Sequence, residues 1–219
     1  MSDRLITGIM GRARSGKDTF AEMLADELFE LVKGRFVLMA YAQELKVRVQ
    51  KDFDLRYEQL WGDEKEEPDQ RYIKYPPEDS GELIDLPMPH WTGREILQAY
   101  GQFYRTIDRD FWVKNLFKVI DDKDYKRIII TDIRHPNEAW PVKNAGGFVI
   151  KVVSNREGIP KIHGESHISE TAMDDFDDID LTINNDLGLD ELRSAAKSAA
   201  EFIVSMKKIN MEVSNGNSS

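Results

Sequence analysis

Nothing in this chain restricts its fold more than the nine residues Gly11-Arg-Ala-Arg-Ser-Gly-Lys-Asp-Thr19. They follow Leu5–Met10, a short apolar run of the kind that forms a buried strand. They precede Phe20, Leu24, Leu28 and Leu31, which recur at helical spacing until Gly34 supplies a stop. A strand, a glycine-bearing loop ending in lysine, and a helix together make the context of a phosphate-binding P-loop. Its glycines let backbone N–H groups turn inward around phosphate oxygens, and the helix N-terminus adds the positive end of a dipole. Lys17 can reach the β- and γ-phosphates of a nucleotide, with the cations of Arg12 and Arg14 beside it. Gly11, Arg14, Ser15, Gly16, Lys17, Asp18 and Thr19 are therefore the expected ATP-binding residues. The strict pattern has Ser or Thr directly after the lysine, whereas here Asp18 comes first and Thr19 second. Asp18 is expected to touch Mg²⁺ through water and Thr19 to bond a phosphate, and both count as candidate metal ligands.

Beyond the loop, Phe36–Ala40 reads as a second strand, followed by a helix from Gln43 to Phe53. Residues 56–90 change character, with clustered acids and the prolines Pro68, Pro76, Pro77, Pro87 and Pro89, and predict an irregular insertion or flap. Thr92-Gly-Arg-Glu95 has the spacing of a capping box and predicts a helix start. Asp110 is a candidate cap for another helix, with Trp112, Leu116 and Ile120 on its inner face. Arg127–Thr131, Phe148–Val153 and Asp180–Ile183 read as further strands. Pro136 suits the first turn of a helix that Gly146-Gly147 would end. Leu192, Ala195, Ala199, Phe202 and Met206 mark a C-terminal amphipathic helix. Strands alternating with helices predict an α/β domain on a parallel sheet. The expected organisation is one domain over residues 1–212, with the insertion at about 56–90, a lid at about 154–170, and a disordered tail at 213–219.

Composition decides which partners fit. The 219 residues carry a net charge of −10, which disfavours a general nucleic-acid binder. An acidic chain still binds an anion where its cations gather in one place, and the loop is such a place. No apolar run approaches the roughly 20 residues that span a bilayer, and the N-terminal segment lacks the pattern of a secretory signal. These features predict a cytoplasmic protein with no membrane partner. The absence of cysteine excludes disulfides and thiolate chemistry.

The Gly-Lys-Asp-Thr form of the loop resembles that of bacteriophage-type deoxynucleoside monophosphate kinases. Ala42-Gln-Glu-Leu-Lys46, Trp91–Gly101 with Arg94, Asp108–Lys114, Ile130–Glu138 with its Asp-x-Arg, His167–Glu170 and Asp180–Asp186 resemble that family's later motifs in order. The resemblance implies a P-loop kinase fold of five parallel strands flanked by helices. It also implies ATP at the loop, Mg²⁺, and a deoxynucleoside monophosphate as acceptor. In this reading Lys46, Arg94, Trp112, Asp132, Arg134 and Glu138 bind the acceptor. Lys17, Arg94 and Arg134 act in catalysis, Asp132 joins the metal ligands, and Arg156 reaches ATP from the lid. The partners implied are small molecules, host cytoplasm is the location if a phage encodes the chain, and a homodimer stays open.

Each of these residues also has a structural reading. Arg94 is a cation in a helix's first turn, where the dipole disfavours it, which strengthens the case for a ligand. Trp112 can stack on a base or fill a core. Asp132 and Arg134 can serve the acceptor or hold a loop together, and Glu138 can meet a sugar hydroxyl or answer a helix dipole. Two other functions compete: phosphomevalonate kinase of the animal type, which shares the Gly-Lys-Asp loop, and an ATP-binding regulator without an acceptor.

Overall fold

Strand β1, Leu5–Met10, is buried at all six positions, because later strands flank both its edges and helices cover both its faces. The computed structural model describes residues 4–76, 87–154 and 176–216, the last nine of these by backbone alone. After β1 come α1 (Lys17–Val32), β2 (Val37–Met39) and α2 (Tyr41–Phe53). Next are α3 (Tyr57–Leu60), a 3₁₀ turn at Glu64–Glu66, β3 (Pro68–Ile73), β4 (His90–Thr92), α4 (Gly93–Ile107) and α5 (Phe111–Asp122). The chain continues through β5 (Arg127–Ile133), α6 (Pro136–Asn144), β6 (Phe148–Val153), β7 (Leu181–Asn184) and α7 (Leu189–Gly216).

Five strands form one parallel sheet in the order β2-β5-β1-β6-β7. Alternation along each strand sends side chains to two cores. Leu5, Ile9, Ile129, Ile150 and Val152 pack with Phe20, Leu24 and Leu28 of α1 and with Ala196, Ala200 and Ile203 of α7. Ile6, Met10, Ile128, Ile130 and Val149 pack with Leu116 and Ile120 of α5 and with Ala139 and Val142 of α6. Each fully buried aliphatic contributes about 1.5–3 kcal/mol of transfer free energy, so the two cores hold the sheet between its helices.

The chain divides into two compact units, Met1–Tyr41 with Val113–Ser219, and Ala42–Trp112. The first carries the five-stranded sheet. The second has its own core, in which Leu45, Val49, Leu55, Leu60, Ile96 and Trp112 are buried beneath a rim of aromatics. Its two strands, β3 and β4, pair antiparallel. Residues 57–73 are thus less irregular than their acids and prolines predict, forming a helical turn, a 3₁₀ turn and a strand.

Residues 77–86 of the expected insertion and 155–175 of the expected lid, Arg156 included, lie outside the described residues. The C-terminal helix runs on through Gly216, past the break expected after residue 212. Its closing segment contains no proline to stop it.

Candidate active site

The loop between β1 and α1 adopts a backbone that most side chains would forbid. Arg14 (φ 62°) and Gly16 (φ 86°) both take left-handed conformations, which turn successive N–H groups toward one side. A Cβ on Gly16 would fall 2.2 Å from the Asn185 amide nitrogen, and one on Gly11 would fall 2.5 Å from the Val152 carbonyl. Gly16 is therefore required by its φ as well as by close approach, and Gly11 by close approach to backbone alone. Asn185, at the end of β7, donates its side-chain amide to the Ser15 carbonyl at 2.9 Å and is only 7% exposed. Its own backbone N–H bonds Val153, so the loop is tied to the carboxyl edge of the sheet. Sequence reasoning assigned no role to Asn185. A polar residue just after a parallel strand, at the carboxyl edge of the sheet, is the signal that could have found it.

Lys17 is buried, and its ammonium lies 3.4 Å from the Asp18 carboxylate, which is 74% exposed. Thr19 stands in the first turn of α1. Ser15 is buried, and its hydroxyl has no hydrogen-bond partner. An orphaned buried hydroxyl costs about 1–3 kcal/mol, and in a loop of this shape a phosphate oxygen would satisfy it.

At the end of β5, Asp132 accepts the backbone N–H of Tyr41 at 2.7 Å, so one of its oxygens serves the first residue of α2. The Tyr41 hydroxyl donates to the Glu138 carbonyl. Burial, and then the charges of Glu138 and Asp132, push that phenol well above its ordinary range. The backbone N–H of Arg134 bonds the Glu138 carboxylate at 2.7 Å, and that of His135 bonds the same oxygen at 3.1 Å. Glu138 is 3% exposed and closes the capping box of α6. One oxygen of its carboxylate thus serves two backbone amides, which supports the structural reading of Glu138 over the acceptor one.

Trp112 lies in the core of the second unit. It is 3% exposed and donates its indole N–H to the Gly101 carbonyl at 3.2 Å. Tyr104 and Phe111 pack edgewise or tilted around it. The Arg48 guanidinium lies 5.7 Å from its ring centroid, leaving no ring face open for a base.

Lys46 and Arg94 belong to the same unit. The Lys46 ammonium lies 5.6 Å from the centroid of Trp61. Arg94 occupies the first turn of α4 and pairs with Glu66. The expected capping box is present, with Thr92 and Glu95 bonding reciprocally. Burial raises the Glu95 carboxyl, but bonds from Lys74 and Thr92 outweigh it and leave the group below its usual range. A cavity of about 510 Å³ in this unit is lined by Asp54, Arg56, Gln59, Asp69 and Arg71 among others. None of the residues expected from the sequence to bind the acceptor lines it.

Residues 70–196, more than half of the chain, match the deoxynucleotide monophosphate kinase family. The chain belongs to that family. The matched stretch begins after the P-loop and includes Arg94, Asp132, Arg134 and Asn185. A protein of Acanthamoeba polyphaga mimivirus, provisionally named a deoxynucleotide monophosphate kinase, is 27% identical over 90% of this chain and 96% of its own. An uncharacterized protein of Ictalurid herpesvirus 1 is 29% identical over 47% of this chain and 46% of its own. Among solved structures, the dephospho-CoA kinase of Campylobacter jejuni is similar at 13% identity and a TM-score of 0.44, covering 92% of this chain and 98% of that one. Membership in a deoxynucleotide monophosphate kinase family makes this chain a nucleotide kinase and its substrates small molecules. Among the described residues, no helix is long and apolar enough to cross a membrane.

Proposed function

We propose that the protein transfers the γ-phosphoryl group of ATP to a deoxynucleoside monophosphate, giving the diphosphate and ADP. The observation that carries this reading is the β1–α1 loop, where a buried lysine and an unpartnered buried hydroxyl stand in a backbone shaped for phosphate. Membership in the family supports a nucleotide as acceptor.

An oxygen of the acceptor's phosphate attacks the γ-phosphorus, and the bond to the β,γ-bridging oxygen breaks. Little covalent chemistry is left for the protein beyond positioning and neutralising charge. Lys17 spans the β- and γ-phosphates, the loop's N–H groups and the Ser15 hydroxyl bond their oxygens, and Thr19 adds a further donor. Lys46 and Arg94 hold the acceptor phosphate, with Arg94 exchanging Glu66 for it. Arg134 adds positive charge where charge develops in the transition state.

Mg²⁺ takes few protein ligands and keeps several waters. The hard oxygens of Asp18, Thr19 and the end-of-strand carboxylate of Asp132 fit it by donor type. When bound, the ion would neutralise charge on the β- and γ-oxygens. The high charged content, 32% of the chain, suits an enzyme of the cytoplasm.

The test is ADP release from Mg·ATP against a panel of deoxynucleoside and ribonucleoside monophosphates, with phosphomevalonate included. Turnover with deoxynucleotides that Arg94→Ala lowers sharply is the expected result. Turnover with phosphomevalonate alone would overturn the acceptor, and ATP binding without acceptor-dependent ADP would overturn the kinase.

A further inference from the structure

A base needs an aromatic face, and Trp112 offers none. Another pair in the same unit does. Tyr57 and Trp61 sit four residues apart across α3, with ring centroids 5.3 Å apart and planes 10° from parallel. Tyr57 is 61% exposed, an unusual state for a large aromatic already stacked on a tryptophan.

Polar groups of the kind a nucleotide needs surround the pair. Gln43, an exposed residue of α2, accepts the Trp61 indole N–H at 3.5 Å. Lys46 lies one helical turn further on, over the same indole. Arg94 follows Gly93 in the first turn of α4, which is seated tightly on α3: a Cβ on Gly93 would fall 2.2 Å from the Gln59 carbonyl. Its partner Glu66 belongs to the 3₁₀ turn just after α3.

We infer that the Tyr57–Trp61 pair is the platform on which the acceptor's base stacks, with Gln43 placed at the base's edge. The inference rests on the deoxynucleotide kinase reading and names a specificity site within it. A cation over one of two parallel rings, with a second cation at the start of the adjoining helix, suits a ligand with an anionic group at one end and a flat π-system at the other, which describes a nucleoside monophosphate. A phosphorylated acceptor without a ring system would leave the exposed aromatic pair with nothing to bind.

The experiment is steady-state kinetics of the wild type, Tyr57→Ala, Trp61→Ala and Tyr57→Phe with a deoxypurine and a deoxypyrimidine monophosphate, varying each substrate in turn. Base–aromatic stacking predicts that each alanine variant raises the KM for the monophosphate by about ten- to a hundredfold. The KM for ATP should stay unchanged, and the loss should be larger for the purine. Tyr57→Phe, which keeps the ring, should restore the wild-type value. Because Tyr57 is largely exposed, its variants test the idea even where Trp61→Ala loosens the fold.

If the wild type turns over deoxynucleotides and Tyr57→Ala does so with an unaltered KM, the platform is overturned while the kinase reading stands. Equal losses toward ATP and monophosphate would mark a merely structural role and overturn it as well. A wild type that uses no nucleoside monophosphate would overturn both.

Discussion

In the unit built on the sheet, the groups that would face phosphate are held by backbone. The P-loop is pinned at the Ser15 carbonyl by Asn185, Asp132 is anchored by the Tyr41 amide, and Arg134 is fixed through its own N–H to Glu138. In the unit Ala42–Trp112, the corresponding cations are long side chains resting on replaceable partners, Lys46 on an indole face and Arg94 on a carboxylate. The first arrangement is rigid and fits a ligand portion that never varies, a nucleotide's polyphosphate. The second can exchange partners and fits the part of a reaction in which different acceptors are distinguished. A loop defined by left-handed backbone tolerates little change, whereas side chains on a helix surface can be replaced singly.

Four experiments can sharpen or break this contrast. The largest effect is expected from Lys17→Ala. Removing one preorganised charge from a phosphoryl-transfer site should lower kcat by about 10²–10³-fold, with thermal stability nearly unchanged. Asn185→Ala comes next, because it orphans the Ser15 carbonyl without touching a phosphate. Its KM for ATP should rise by roughly five- to a hundredfold, the equivalent of an unpaired buried acceptor, while the KM for the monophosphate holds. An equal rise in both would show that the loop is not separately anchored.

In the second unit, Asp69 is 7% exposed. Bonds from Arg71 hold its carboxyl well below the ordinary carboxylate range, against the opposing pull of burial and with further help from Gln59. A depressed folded-state pKa contributes stability above the unfolded value of about 3.9, and that stability disappears as pH falls toward the folded one. Asp69→Asn should therefore lower the melting temperature at neutral pH by the equivalent of about 1–2 kcal/mol, since the half-exposed Arg71 is partly screened. The gap to wild type should close in melts run progressively below pH 4. Glu138→Gln should have the smallest effect, because an amide oxygen can still accept the two backbone N–H groups. Activity should stay within about threefold of wild type, on the view that a neutral acceptor preserves most of a cap. A large rise in the monophosphate KM would return Glu138 to the acceptor site.

The strands were legible because a parallel strand covered on both faces reads as a mostly apolar run, as Leu5–Met10, Arg127–Thr131 and Phe148–Val153 do. The capping box at Thr92 was legible for the same local reason, since its chemistry lies within four residues. Glu138 was not, because a first-turn glutamate looks the same whether it caps its helix or meets a sugar. Trp112 and Trp61 could not be ranked, since their exposure depends on packing within Ala42–Trp112 that no short pattern reports. Tyr57 and Trp61 also lie in an acidic stretch whose composition pointed to irregular structure. Asn185 was hidden by distance along the chain.

That distance has a consequence for synthesis. The partner of the Ser15 carbonyl lies 170 residues downstream, and β1 sits between β5 and β6, both made long after it. The loop is thus translated long before the residue that anchors it and the strands that flank β1. At about 5–20 residues per second, the ribosome has the loop outside for many seconds before β7 appears. During that interval the Ser15 carbonyl lacks the side-chain amide that holds it. A chain cut short before Asn185 would carry the glycine-lysine loop intact with no anchor for it.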